Sequence, residues 1–215
     1  MLKRFVILGL IIVGSATSGY VFALPFDAVN NPARSLADRE RDKTSKPNAV
    51  LNFIDLKPGM RVLDLFAGNG YYSELFSYGV GPDGRVVSHS NTLYESSTGE
   101  EASRRFKDKR LPNVSRFIRE INNLALEKSS FDRVVLVLVY HDIYFTADYW
   151  PPIDREDFFR LIYRSLKPGG VLVVIDHSAL AGTGKSAAQT LHRIDEVFAK
   201  QDIESAGFVF DSASE

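Results

Sequence analysis

The most constraining stretch of this chain is residues 134–139, Val-Val-Leu-Val-Leu-Val, apolar at every position with nothing polar interleaved. A strand with one wet face would alternate. A strand without alternation must be covered on both faces, which is the situation of a central strand in a parallel sheet with helices on either side. A second such run, residues 171–175, follows a helical stretch whose buried stripe is Phe158, Leu161, Ile162 and Leu166. Two runs of this kind, with a helix between them, predict an α/β fold. The 215 residues, 45% of them hydrophobic, supply one such domain and not two.

The rest of the chain keeps the same alternation. Extended segments are predicted at residues 61–66, 85–89 and 114–118, with a sixth strand opening at 208–210. Between them lie helical signals: Val50, Phe53 and Ile54, then Tyr72, Leu75 and Phe76, a weak helix at 97–107, and a helix capped by Asp154. Residues 186–206 read as a single long helix with Leu191, Ile194 and Phe198 on one side, stopped by Gly207. Lys57-Pro58-Gly59, Gly81-Pro82-Asp83-Gly84, Leu111-Pro112-Asn113 and Lys167-Pro168-Gly169-Gly170 punctuate the pattern. The expected architecture is a Rossmann-like, doubly wound, mostly parallel sheet. Its ligand site belongs just beyond the carboxyl ends of the strands.

The first 46 residues are read differently. Residues 1–23 carry Lys3 and Arg4, an apolar run from Phe5 to Val13, and the small-residue pattern Val21-Phe22-Ala23. This is the form of a signal peptide or an N-terminal anchor, and it places these residues outside the fold. The expected location is then exported: periplasmic, or membrane-anchored and facing outward, with membrane contact only through an uncleaved N-terminus. Residues 24–46, with the charged run Asp38-Arg39-Glu40-Arg41-Asp42-Lys43, are expected to be a solvated linker, or else a lid over a ligand pocket. Residues 47–215 form the domain. The 26 basic and 27 acidic residues of the whole chain nearly cancel, so no nucleic-acid partner is expected. There is no Cys, which excludes disulfides and thiolate chemistry.

The loop after the first predicted strand carries the chemistry. In Asp64-Leu65-Phe66-Ala67-Gly68-Asn69-Gly70-Tyr71, a carboxylate lies near the strand end, a small-residue turn follows, and a helix begins at once. Gly68 and Gly70 let the backbone approach a ligand, and the helix start adds free N–H groups. This loop, together with Phe131-Asp132-Arg133-Val134 and Leu166-Lys167-Pro168-Gly169-Gly170, resembles the motifs of class I SAM-dependent methyltransferases. Gly70-Tyr71-Tyr72, Tyr140-His141-Asp142 and Leu191-His192-Arg193-Ile194-Asp195 look more narrowly like a bacterial group of exported methyltransferases. The resemblance implies S-adenosyl-L-methionine (SAM) as cofactor. It places Asp64, Ala67, Gly68, Asn69, Gly70 and Tyr71 around its methionine end, Ser90 and Asn91 at the ribose, and Glu120, Ile121 and Asn122 near the adenine. A sulfonium cation calls for carboxylates and aromatic faces, and Asp64, Tyr71, Tyr72 and Tyr140 are placed by position to supply them. The chain departs from the family in three ways. Phe66 stands at the first glycine of the motif, no carboxylate ends the second strand, and the sequence stops before a seventh, antiparallel strand could form between the fifth and sixth.

His141 and Asp142, after the central strand, are the candidates for acid–base work, since a His near neutrality can take a proton from an acceptor. His177 reads as a substrate contact or, at least equally, a capped turn, and His192 as a helical surface or packing residue. The spacing of the four His predicts no metal site. Gly182-Thr183-Gly184-Lys185-Ser186 mimics the end of a phosphate loop but follows the wrong strand and lacks the first glycine. The expected function is methyl transfer from SAM to a small-molecule or protein acceptor. The alternative is a methyltransferase-like protein that binds a ligand without turnover. A nicotinamide dehydrogenase is disfavoured, because Tyr163 and Lys167 sit at a helix end against Pro168.

Overall fold

The computed structural model describes residues 3–9 and 27–214. The helices are α1 (Leu36–Ser45), α2 (Pro47–Ile54), α3 (Tyr71–Val80), α4 (Thr92–Arg105), α5 (Arg155–Ser165), α6 (Ala188–Leu191) and α7 (Glu196–Ser205). The strands are β1 (Arg4–Gly9), β2 (Arg61–Leu65), β3 (Arg85–Ser90), β4 (Val114–Ile118), β5 (Phe131–Val137), β6 (Leu166–Asp176) and β7 (Val209–Ser214). They form one seven-stranded sheet in the order β4-β3-β2-β5-β6-β1-β7, every neighbouring pair parallel. Strand order reverses between β2 and β5, so the crevice for a ligand opens at their carboxyl ends.

β5 is central, as its lack of alternation requires. Val134, Val135 and Leu136 are all at most 1% exposed. Its side chains split between two cores. Val134 and Leu136 pack with Phe158, Phe159 and Ile162 of α5, while Val135 packs with α2 and α3 through Val50, Leu75 and Phe76.

Three expectations are corrected by the fold. First, residues 1–23 do not all lie outside it: Arg4–Gly9 is a strand between β6 and β7, pairing Val6 with Val173 and Ile7 with Val174. The run Phe5-Val6-Ile7-Leu8 is as apolar as a buried strand must be, and composition alone does not separate it from the core of a targeting segment. The proposed cleavage site, Val21-Phe22-Ala23, lies outside the described residues. The sheet edge expected to lack its seventh strand is completed by β1, parallel rather than antiparallel. Second, residues 186–206 are not one helix. The chain breaks at His192, whose φ is 49°, and restarts at Asp195, which caps α7 through the Val197 amide at 2.9 Å. Third, β6 begins at Leu166 rather than after the Pro-Gly-Gly turn, which becomes an irregularity in its pairing with β5.

The acidic–basic lead-in is an ordered helix. Ser35 caps α1 by accepting from the Asp38 amide (3.0 Å) and donating to the Asp38 carboxylate (2.8 Å). Arg34 and Asp38 are buried and Asp42 is half-buried, while Arg39, Glu40, Arg41 and Lys43 stay exposed as a linker's charges would. Arg34 pairs with Asp42 at 2.6 Å, and Arg105 of α4 reaches Asp38 at 2.7 Å and also pairs with Glu74 of α3. No helix among the described residues is long and apolar enough to cross a membrane.

Candidate cofactor and acceptor site

A cavity of about 260 Å³ opens at the strand ends, walled by Asp64, Gly68, Tyr71, Tyr94 and the backbone around Leu138, with Arg41 of α1 at its rim. A larger recess of about 410 Å³ lies between α1 and α4, but no strand-end residue walls it, and its Asp38, Arg105 and Arg110 are already committed to ion pairs. The strand-end cavity is therefore the candidate site.

Two backbone features shape it. Phe66 and Leu138, the residues that follow β2 and β5 by one position, both adopt left-handed φ, 54° and 58°. Non-glycine residues rarely do so, and such strain concentrates at functional sites. Phe66 stands where the methyltransferase motif has its first glycine, and its φ shows why a glycine suits that position. The ring offsets the strain by packing, 3% exposed, against His89, Tyr94 and Trp150. Gly68, at φ +56°, has no atom within 4 Å of where a Cβ would project, so the turn is open to a ligand. Gly70 is different. It also has positive φ (+80°), but a Cβ there would lie 2.5 Å from the Phe106 ring, so its missing side chain serves packing under the loop.

Asp64 is 2% exposed and accepts a hydrogen bond from the Ser73 hydroxyl at 2.6 Å. No cation is paired with it among the described ion pairs, and burial pushes its carboxyl up to about 7. Beside it, Tyr71 and Tyr72 are fixed by α1: the Tyr71 hydroxyl donates to Asp42 at 2.5 Å and the Tyr72 hydroxyl to the Ser45 carbonyl at 2.9 Å. Arg41 lies over the Tyr71 ring at 4.1 Å and donates to the Asn69 side chain at 3.4 Å. The helix read as a linker or lid thus roofs the glycine turn.

The expected cofactor residues divide. Asp64, Ala67, Gly68, Asn69 and Tyr71 wall the cavity; Gly70, Ser90, Asn91, Glu120, Ile121, Asn122 and Tyr140 do not. Asn91 caps α4, its side-chain oxygen accepting from the Tyr94 amide at 2.9 Å. Glu120 accepts from the Thr92 amide at 3.0 Å, and Asn122 donates to the Pro152 carbonyl at 3.1 Å. Ile121 packs against the core, and Ser90 donates weakly to the Asn91 carbonyl at 3.3 Å. Tyr140 turns away from the cavity: its ring is fully buried and its hydroxyl donates to Asp202 of α7 at 2.5 Å. The cause is the left-handed step at Leu138, which redirects the chain into the short helical turn His141–Ile143. The residues missed from sequence were Arg41, Tyr94 and Thr98, which approach from helices rather than from strand ends.

His141 and Asp142 lie on that turn. The His141 Nδ1 meets Asp176, at the end of β6, at 2.9 Å, and its Nε2 lies 3.3 Å from Asp142 Oδ1. Asp142 Oδ2 accepts from Tyr94 at 2.8 Å, so Tyr94 joins the turn to the cavity wall. Burial works against a charged His141, but the hydrogen bond and charge of Asp176, with the charge of Asp142, prevail and raise its pKa. The Asp142 carboxyl is raised by burial, against the pull of His141 and Tyr94. The break at His192 brings that residue, expected on a helical surface, to the same turn, its ring 5.2 Å from that of His141. His177 is not part of this group; its amide donates to Asp176 at 2.8 Å. The phosphate-loop mimic is filled from within, since the Gly182 and Gly184 amides both donate to Asp195 (2.6 and 3.2 Å).

An open parallel sheet with a glycine turn and a buried acid at its switch point defines the class I SAM-methyltransferase fold. The chain belongs to the family described as Methyltransferase domain, whose model matches residues 56–207. It is 32% identical over 134 residues to the protein-L-isoaspartate O-methyltransferase of Methanopyrus kandleri, a match covering 58% of this chain and 48% of that protein. It is 29% identical over 130 residues to the ubiquinone/menaquinone biosynthesis C-methyltransferase UbiE of Ectopseudomonas mendocina, covering 60% and 46%. The matched region spans about half the length of these relatives. A SAM-dependent methyltransferase from Aquifex aeolicus superposes with a TM-score of 0.59 at 23% identity, covering 80% of this chain and 86% of that one. Phosphoethanolamine N-methyltransferase 2 of Haemonchus contortus, in complex with SAM, does so at 0.58 and 21%, covering 77% and 37%.

Proposed function

We propose that this chain binds SAM in the strand-end cavity and transfers its methyl group to a small-molecule or protein acceptor held between that cavity and the His141–Asp142 turn. The observation that carries the reading is Asp64: a buried carboxylate with no cationic partner among the described ion pairs, facing an open glycine turn. SAM carries an ammonium and a sulfonium, and either would supply the missing charge. Tyr72 offers an aromatic ring to a cation, and Arg41, stacked over Tyr71, offers a partner for a carboxylate. The residues present therefore fit the methionine end of SAM, which when bound presents an electrophilic methyl group.

The relatives are named for O- and C-methylation. An oxygen acceptor or an enolisable carbon must in either case shed a proton, and the chain supplies a destination for it. Asp176 fixes the His141 ring and, in the tautomer with Nδ1–H donated to that carboxylate, leaves Nε2 as the basic nitrogen. A protein that only bound a ligand would have use for the cavity but none for this dyad. The test separates binding from turnover. In His141→Ala, SAM affinity measured by calorimetry stays within about threefold of wild type, while methyl transfer falls by roughly 10²–10⁴-fold. Unchanged turnover would remove His141 from the chemistry.

A further inference from the structure

We propose that His141, Asp142 and His192 form a binding site for a first-row divalent metal ion, of the class exemplified by Zn²⁺ and Co²⁺. His141 Nε2 lies 3.3 Å and His192 Nδ1 3.8 Å from the same oxygen, Asp142 Oδ1. One donor atom from each residue can be chosen so that all lie within 4.8 Å of one another. Ligands held roughly 2.1 Å from one ion lie about 3.0–3.4 Å apart in octahedral or tetrahedral arrangements, so the set closes around an ion with a small movement of His192. Two imidazoles and one carboxylate, with the remaining positions open, suit a divalent transition metal rather than calcium or magnesium.

The supporting hydrogen bonds point the same way. A metal-binding His characteristically gives its other nitrogen to a carboxylate, which fixes tautomer and orientation. Asp176 holds His141 Nδ1 at 2.9 Å and so leaves Nε2 as the free lone pair. The second oxygen of Asp142 is held by Tyr94 at 2.8 Å, and the Asp142 carbonyl by the Trp150 indole at 3.0 Å. With Nδ1 protonated, a ring lone pair and a carboxylate oxygen face each other in a buried turn, and a cation between them resolves the contact. The competing cation is a proton on His141, which would satisfy that pair; His192, whose ring is stacked on Phe145 at 5.4 Å, would then keep its place by packing, so the distinguishing feature is its Nδ1, 3.8 Å from the same Asp142 oxygen. Arg193, next in the chain, directs its guanidinium to the Ser178 carbonyl at 3.2 Å, and no Lys or Arg pairs with Asp142 among the described ion pairs. His192 is 57% exposed at its side chain, which leaves the ion an entry path.

The site deepens the methyltransferase reading, on which it rests for its purpose but not for its existence. An ion here would stand at the acceptor end; His141 Nε2 would then be its ligand rather than the proton acceptor, and the ion itself would acidify a bound hydroxyl. Binding is tested on the untagged full chain, stripped of metal, titrated with Co²⁺ and followed by its visible absorption, with Zn²⁺ followed by calorimetry, both without SAM. The expected result is one Co²⁺ per chain, with affinity lowered at least ~100-fold in His192→Ala and about 10–100-fold in Asp176→Asn. His177→Ala should bind as wild type. His192→Ala, being a substitution at a half-exposed side chain, should keep its circular dichroism spectrum and its SAM affinity. Absence of Co²⁺ binding, or equal binding by wild type and His192→Ala, overturns the proposal. So does a nitrogen NMR spectrum of His141 that shows both ring nitrogens protonated at pH 8 and is unmoved by Zn²⁺. Failure of SAM to bind would sink the methyltransferase reading and leave these measurements standing.

Discussion

Asp64 carries a pH signature. With its carboxyl at about 7 when the cavity holds no cation, a cationic ligand must bind the ionised form and lower that pKa. Binding then releases a proton near neutrality. Lowering the pH through 7 protonates Asp64 and weakens binding, so SAM affinity should fall about tenfold from pH 8 to pH 6. Asp64→Asn should bind more weakly at pH 8 and lose that slope. Calorimetry in buffers of different ionisation enthalpy measures the released proton directly. Gly70 makes a different claim, about packing rather than ligand. Gly70→Ala forces a Cβ against Phe106 at a backbone angle L-residues avoid, and should cost about 1–3 kcal/mol in chemical denaturation. Phe66→Gly would relax the left-handed backbone but vacate an aromatic site; the lost packing, about 3 kcal/mol or more, should outweigh the relief.

At the scale of elements, α1 is the piece whose role most exceeds its composition. It carries few apolar residues and is held by buried ion pairs, so removing one partner leaves the other charge stranded. Asp38→Ala should destabilise by about 1–3 kcal/mol, read from urea unfolding, because Arg105 loses its two-point partner while keeping Glu74 and the exposed Glu101 among the described ion pairs. How much of this was legible beforehand follows from how far apart the interacting residues lie in the chain. The central strands were readable because burial on both faces removes alternation, a signal contained within six residues. Asp64, Gly68 and Tyr71 were readable for the same reason, since one short loop presents them. Arg41 and Tyr94 were not, because their relevance comes from helices packing over the turn. His192 was hidden by an apparently continuous helical period: nothing in Leu191 or Ile194 signals the left-handed break between them. Asp195, a good helix cap in the middle of that stretch, was the available hint.

For the molecule as a whole, the unexpected feature is the sheet position of Arg4–Gly9. Phe5, Val6, Ile7 and Leu8 are each at most 6% exposed, and burial of side chains of this size is worth about 1.5–3 kcal/mol apiece. A chain lacking residues 1–23 loses this strand from between β6 and β7, leaving one flank of β6 unpaired. It should unfold at a markedly lower temperature than the full chain and aggregate through the exposed edge. Equal melting temperatures in differential scanning calorimetry would show that β1 adds nothing to stability. The more central claim concerns the cavity beneath α1, and calorimetric titration of the full chain with SAM and with S-adenosylhomocysteine addresses it most directly. Saturable binding of both is expected, on the order of micromolar Kd, with SAM weakened in Asp64→Asn. Absence of heat and of any thermal shift with either ligand would contradict the claim.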